Sequence, residues 1–167
     1  LKTEVGLIRS AVETNLAALR KQAIQLNRGF DMSFQEEISL DGVDDQPVLR
    51  LGKAEILNGR FERVDRFTEQ TGAVATLFAR RGDDFVRVST SVKKENGERA
   101  VGTLLAKDHP GLPLLLAGKP YVGRASLFGK AFYTSYTPIV GKGGAIIGAN
   151  FIGLDISTEL EALKQQI

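Results

Sequence analysis

YVGRASLFGKAFYTSYTPIV, residues 121–140, continued by GKGGAIIGANFIGLDI, residues 141–156, is the stretch that decides the architecture. It holds three β-prone runs, Tyr121–Phe128, Ala131–Val140 and Ala145–Ile156, parted only by Gly129 and by Gly141-Lys142-Gly143-Gly144. Glycines between such runs mark tight turns, and strands joined by tight turns pair antiparallel.

Working outward from there, Val74–Ala79 and Phe85–Val92 flank Arg81-Gly82-Asp83-Asp84, a hairpin connection. Short strand pieces are expected at Glu37–Leu40 and Val48–Leu51, with Asp41-Gly42 and Asp44-Asp45-Gln46-Pro47 as turn chemistry. Arg99–Leu105 fits another strand or a helix start. Phe61, Val64 and Phe67 predict a helix over Phe61–Gln70. Asp108-His109-Pro110 opens a short helix closed by Gly118, and Ser157–Ile167 reads as a terminal helix with Ser157 as its N-cap. At the other end Val5, Ile8, Val12, Leu16, Leu19, Ala23 and Leu26 form one helical stripe, with Arg28-Gly29 as its stop. A helix of that length spans about 40 Å at 1.5 Å per residue. It either packs on the core or continues a membrane span and pairs with its twin. The order of elements gives an α+β fold rather than a parallel α/β one.

Composition narrows the function. A chain of 167 residues suits one domain, and 22 Lys+Arg against 20 Asp+Glu gives no sequence-independent grip on nucleic acid. There is no cysteine and one histidine, His109, too few for a metal centre of His and Cys ligands. Asp41, Asp44 and Asp45 lack the spacing and the later glutamate of a calcium loop. Gly123-Arg-Ala-Ser126-Leu-Phe-Gly129 is not a nucleophile elbow, and Gly141-Lys142-Gly143-Gly144 lacks the end of a phosphate loop. No catalysis, metal or cofactor is therefore expected. No run reaches the roughly 20 apolar residues of a membrane span, and Leu1 opens directly into the amphipathic pattern. The chain reads either as cytoplasmic or as a piece lying between two spans.

Polar and aromatic groups crowd the strands. Tyr121, Arg124, Ser126, Phe128, Lys130, Tyr133 and Tyr136 fall in two adjacent ones, and alternation puts Arg124, Ser126 and Phe128 on one face. Alternation likewise groups Arg87, Ser89 and Ser91 against Val86, Val88, Thr90 and Val92. Tyr133 and Tyr136 fall on opposite faces of their strand, so at least one of the two is structural. Arginine with hydroxyl donors and aromatic walls suits a carboxylate. The same residues also fit a half-solvated sheet with exposed arginines.

Asp108-His109-Pro110, the Gly118–Gly129 run, Tyr133, Tyr136-Thr-Pro138, Gly144, Ile147-Gly148 and Gly153-Leu-Asp155 together resemble the single Cache domains of methyl-accepting chemotaxis proteins, of the Cache 3/Cache 2 fusion type. Val88-Ser-Thr90-Ser-Val92 resembles the family's inner strand, and the match covers roughly residues 30 to 156. The resemblance implies a PAS-like antiparallel sheet behind a long N-terminal helix, on a receptor anchored in the inner membrane and facing the periplasm. It implies residues 1–28 as a membrane-proximal, dimer-forming helix, 29–156 as the ligand-binding domain and 157–167 as an exit helix toward a second span. It further implies a homodimer that binds a short organic acid such as acetate, propionate or pyruvate. The candidate ligand residues are Arg87, Ser89, His109, Tyr121, Arg124, Ser126, Phe128, Lys130, Tyr133 and Tyr136, with Asp155 in a strand-end role. Other readings are the sensor of a histidine kinase or cyclase, and a module that acts through a periplasmic binding protein without a ligand of its own.

Overall fold

A computed structural model describes residues 2–32, 37–43, 46–157 and 165. Helix α1 (Lys2–Phe30) runs past the stop expected at Arg28-Gly29. Leu16, Leu19, Ala23, Leu26 and Phe30 all pack into the same core, so the apolar stripe takes one more step across Gly29. Burial of Phe30 outweighs the preference of Gly29 for a left-handed cap.

Strands β1 (Ile38–Val43), β2 (Gln46–Leu51) and β3 (Glu55–Ile56) form a small antiparallel sheet in that order. Asp41 and Gly42 are strand residues rather than turn residues, opposite Val48 and Pro47. The Asp41 carboxylate accepts from Arg50 Nε at 2.7 Å, which gives it a cross-strand role. The turn at Asp44-Asp45 lies outside the described residues. β3 is two residues long and leaves no periodicity to read. Helix α2 (Glu62–Thr71) ends where expected: Gly72 takes φ 78° and its N–H donates to the Thr68 carbonyl at 2.8 Å.

The main sheet contains β4 (Val74–Arg81), β5 (Asp84–Thr90), β6 (Tyr121–Leu127), β7 (Lys130–Val140) and β8 (Ile146–Asp155), ordered β5-β4-β8-β7-β6 and antiparallel throughout. This is the PAS-like α+β arrangement. The three strands of the opening stretch are adjacent, as their glycine turns require. Helix α3 (Leu112–Leu116) starts four residues after Asp108, so the Asp-His-Pro step precedes the helix rather than opening it. Arg99–Leu105 is neither a strand nor a helix. It runs along the outer edge of β5, bridging Val86 with Leu104 and donating from Leu105 N–H to the Phe85 carbonyl at 3.0 Å. The terminal helix expected over Ser157–Ile167 lies outside the described residues apart from Ser157 and Gln165. Ser157 Oγ accepts from Ala131 N–H at 3.2 Å.

Each face of the main sheet carries its own core. The near face meets α1, α2 and the small sheet through Leu77, Val88, Ile139 and Ile152. The far face gathers Phe78, Phe85, Tyr136 and Phe151 beneath Leu105, Leu115 and α3. A sheet covered on both sides buries its middle strands almost continuously, as β4, β7 and β8 are here. A polar seam crosses the near face. Asn27 Nδ2 of α1 donates to Ser135 Oγ at 3.0 Å and to Thr137 Oγ1 at 2.6 Å, and Asn150 Nδ2 donates to Asp31 Oδ1 at 2.7 Å.

One irregularity alters which residues share a face. Leu77 lies opposite Ser89, yet the next residue, Phe78, lies opposite Arg87. Val88 is therefore the extra residue of a β-bulge, and the alternation of β5 changes phase across it.

Candidate ligand-binding site

The bulge divides the residues that simple alternation had grouped. Arg87 points to the far face, where its guanidinium carbon lies 5.2 Å from the Phe78 ring centroid and 5.2 Å from that of Phe128. Ser89 and Ser91 point to the near face: Ser89 Oγ donates to the Arg60 carbonyl, and Ser91 Oγ accepts from Thr68 Oγ1 at 2.7 Å. Thr90, expected on the valine side, instead meets Thr76 across the far face at 2.7 Å.

The second strand pair sorts in the same way. Tyr121 lies opposite Tyr136, while Arg124 lies opposite Tyr133 and Ser126 opposite Ala131. Tyr136 and Tyr121 belong to the far-face core, and Tyr133 and Ala131 to the near-face one. Arg124 and Ser126 thus share a face with each other but sit on the side away from Arg87, both exposed. Lys130 is also exposed. Phe128 does not follow Arg124 and Ser126. It occupies the β6–β7 turn with φ 49°, followed by Gly129 at φ 80°, the two positive angles of a type I′ hairpin. A bulky residue held left-handed costs about 1–2 kcal/mol. Here that conformation lays the ring over Arg87.

On the far face Arg87, His109, Tyr121, Phe128 and Tyr136 form one cluster. The His109 ring centroid lies 4.9 Å from that of Tyr136 and 5.4 Å from that of Tyr121, with Tyr121 and Tyr136 6.1 Å apart. Arg87, His109 and Tyr136 are 3%, 7% and 0% exposed, so each polar group there must find its partner inside. Arg87 Nη1 does so, donating to the Leu104 carbonyl at 2.9 Å and to Thr103 Oγ1 at 3.1 Å, which ties the guanidinium to the segment along β5. Arg87 Nε, His109 Nε2 and Tyr136 Oη are buried without a hydrogen-bond partner. An unmet buried group costs about 1–3 kcal/mol, and more when charged. Tyr121 differs, because its hydroxyl donates to the Arg124 carbonyl at 2.9 Å.

Electrostatics agree with that grouping. Burial lowers the Arg87 pKa from its ordinary value, but a guanidinium stays charged across the working range. Burial and then the Arg87 charge lower His109, with Asp108 opposing. Burial raises the Tyr136 phenol, so it remains a neutral hydroxyl. Gly111 N–H donates to His109 Nδ1 at 2.8 Å, which leaves the imidazole proton on Nε2. Among the described residues no carboxylate forms an ion pair with Arg87. The cluster therefore offers a cationic N–H, a neutral N–H and a hydroxyl, all unclaimed. That donor set is suited to an oxyanion. No group of His, Asp and Glu among the described residues could hold a metal ion.

Sequence reasoning missed Phe78, Thr103 and Gly111. Phe78 reads as ordinary core and Thr103 sits in a segment without periodicity. Gly111, two residues past His109, was the one legible sign of a close backbone approach. A Cβ there would lie 3.0 Å from Tyr121 Cβ and 3.1 Å from His109 Cε1.

The profile of the Cache 3/Cache 2 fusion domain matches residues 1–167. No curated protein matches the chain in sequence. Among solved structures, the sensor domain of E. coli DcuS aligns at 22% identity and a TM-score of 0.41, over 62% of this chain and 68% of that one. The sensory domain of the Campylobacter jejuni chemoreceptor Tlp3 (CcmL) aligns at 14% identity and a TM-score of 0.48, over 99% of this chain and 61% of that one.

Proposed function

The chain belongs to the Cache 3/Cache 2 fusion domain family, and from that premise we propose that it is the extracytoplasmic sensory domain of a chemoreceptor, binding a short carboxylate on the far face of its sheet. The observation that carries this reading is Arg87. A charge 3% exposed, without an ion-pair partner among the described residues and with Nε unclaimed, is costly in the empty protein. A carboxylate placed against Arg87, His109 Nε2 and Tyr136 Oη would remove that cost. The affinity of a ligand that does so is drawn partly from strain already present in the fold.

Phe78 and Phe128 would wall the site, with Tyr121 beside His109 at its rim. Arg124, Ser126 and Lys130 are exposed, while Ser89 and Tyr133 face α1 and α2, so none of the five joins the Arg87 cluster. The domain acts as a binding module and transforms nothing. It sits in the periplasm, tethered to the inner membrane through segments beyond this chain, and pairs with a second copy through α1.

Signalling follows from the position of β8. Phe151 of β8 packs on Tyr136 with ring centroids 4.8 Å apart, and β8 leads straight to Ser157. A ligand shifts an equilibrium only through unequal affinity for two states. Drawing Tyr136 toward a carboxylate would pull on Phe151 and displace the segment beyond Ile156. Disulfide cross-linking between the exit segments of the full receptor should then change with ligand.

A thermal-shift screen against short carboxylates and amino acids tests the reading. Short carboxylates should raise the midpoint in wild type and not in Arg87→Met. If no compound raises it, the domain does not sense a small acid itself, and action through a periplasmic binding protein takes its place.

A further inference from the structure

Histidine beside an arginine and two tyrosines looks like a pH sensor, because its ordinary pKa of about 6.5 sits in the physiological range. The geometry around His109 argues the opposite. Gly111 N–H points at Nδ1 from 2.8 Å. Protonating the ring would add a hydrogen to that same nitrogen, bringing two N–H groups face to face and orphaning the Gly111 donor. Moving the two apart is hindered, since Gly111 is only two residues along the chain and packs against the Tyr121 and His109 side chains.

Among the described residues, the groups acting on the ring can be named. Arg87 on β5 already supplies one buried positive charge and resists a second. Asp108, the preceding residue, favours the imidazolium, but it is exposed and solvated. Tyr136 on β7 and Tyr121 on β6 border the ring, and burial keeps both phenols protonated. Gly111, at the start of α3, contributes only its N–H.

We propose that His109 is locked as a neutral Nε2–H donor by Gly111, so that Arg87 is the sole cation of the site and the site selects singly charged anions over doubly charged ones. This rests on the carboxylate reading above and adds to it a charge count and a specificity-determining residue. A monocarboxylate brings one negative charge to one positive charge. A dicarboxylate of similar length would bury its second carboxylate among Phe78, Phe128 and the tyrosines with no cation to meet it, which disfavours it strongly. Because neither Arg87 nor the locked His109 titrates near neutrality, affinity for a monocarboxylate should not depend on pH there.

The single histidine of the chain makes the lock directly readable. Imidazole nitrogen NMR on the ligand-free protein should show the neutral Nε2–H tautomer from about pH 8 down to about pH 6, without a titration near 6.5. An imidazolium already dominant at about pH 6.5 overturns the proposal. Calorimetry with propionate and malonate should then show propionate affinity constant within about twofold across that range, and malonate at least about tenfold weaker at about pH 8. Malonate binding as tightly as propionate also overturns it. His109→Phe should weaken propionate by about tenfold, the scale of one lost hydrogen bond to a charged group, and His109→Gln, which returns an N–H near the same place, should recover most of the loss. If the NMR shows the neutral tautomer but no monocarboxylate binds, the carboxylate reading fails while the tautomer assignment stands.

Discussion

The two faces of the main sheet share the same strands and differ in how their polar groups are met. Three consecutive residues of β7 show both patterns. Ser135 and Thr137 point to the near face, where Asn27 of α1 joins their hydroxyls. Tyr136 between them points to the far face, fully buried, with its hydroxyl unmet. What is left over on the near face is two amide acceptors, Asn27 Oδ1 and Asn150 Oδ1, on side chains whose amide nitrogens are bonded; one further acceptor without a hydrogen bond, Asp84 Oδ1 at the β4–β5 turn, lies 3.6 Å from Lys107 Nζ. What is left over on the far face is donors, one of them cationic. A protein optimised only for stability would replace an unpaired buried guanidinium with an apolar side chain. Keeping it is intelligible when the missing acceptor arrives from outside.

That contrast predicts opposite responses to mutation. The largest effect should come from the near face: Leu77→Ala, at a site 1% exposed, should cost about 2–5 kcal/mol in urea unfolding. The increment of stability that a saturating carboxylate adds should survive in that variant. On the far face Arg87→Met should do the reverse. Carboxylate affinity should fall by about 3 kcal/mol or more in calorimetry, while the ligand-free midpoint stays level or rises because a buried charge has been removed. If Arg87→Met destabilises the empty domain as much as Leu77→Ala does, the guanidinium is a structural element and the contrast between the faces collapses.

A smaller effect follows from His109. Its folded pKa lies below the ordinary value, so as pH falls through about 6.5 the unfolded chain takes up a proton that the folded one does not. The sign is therefore loss of stability on acidification, fully absent above the unfolded pKa and growing by at most about 1.4 kcal/mol per pH unit below it. Comparing unfolding midpoints of wild type and His109→Gln between about pH 7 and pH 5.5 isolates this share, since the variant removes the chain's single imidazole. Equal pH slopes in the two proteins would mean that His109 protonates as freely folded as unfolded.

These expectations show which parts of the molecule could be read from the chain. The strands around Gly129 and Gly141–Gly144 were legible because glycine turns leave few pairings, and the whole sheet order grows from them. The end of α1 was not, because Gly29 invites a stop and only the tertiary contact of Phe30 overrides it. Site residues depend on parity, and parity is fragile. Arg87 is a candidate by pattern and lies buried on the far face, but alternation groups Ser89 with it because nothing in Val88-Ser89-Thr90 betrays a bulge. His109 could be suspected from Asp-His-Pro, whereas its tautomer needed the position of the Gly111 N–H. Burial, the quantity separating Arg87 from Arg124, comes from the layers packed on each face and leaves no local mark in sequence.

Arg124 supplies the last and smallest prediction, and it tests the face assignment by a near-zero result. Sequence pattern made it as good a carboxylate anchor as Arg87, with Tyr121 and Ser126 close by in the same strand. In the structure it is exposed and lies opposite Tyr133, on the side of the sheet that faces α1. Its backbone carbonyl does hold the Tyr121 hydroxyl, but that bond survives any change of side chain. Its charge reaches the Tyr121 phenol at the rim of the cluster, but the guanidinium is exposed, and solvent and salt weaken its pull on an anion held beside Arg87. Arg124→Ala should therefore change carboxylate affinity by less than about twofold and stability by less than about 0.5 kcal/mol. A tenfold loss would mean that the ligand lies on the near face and that the unmet donors around Arg87 serve some other purpose.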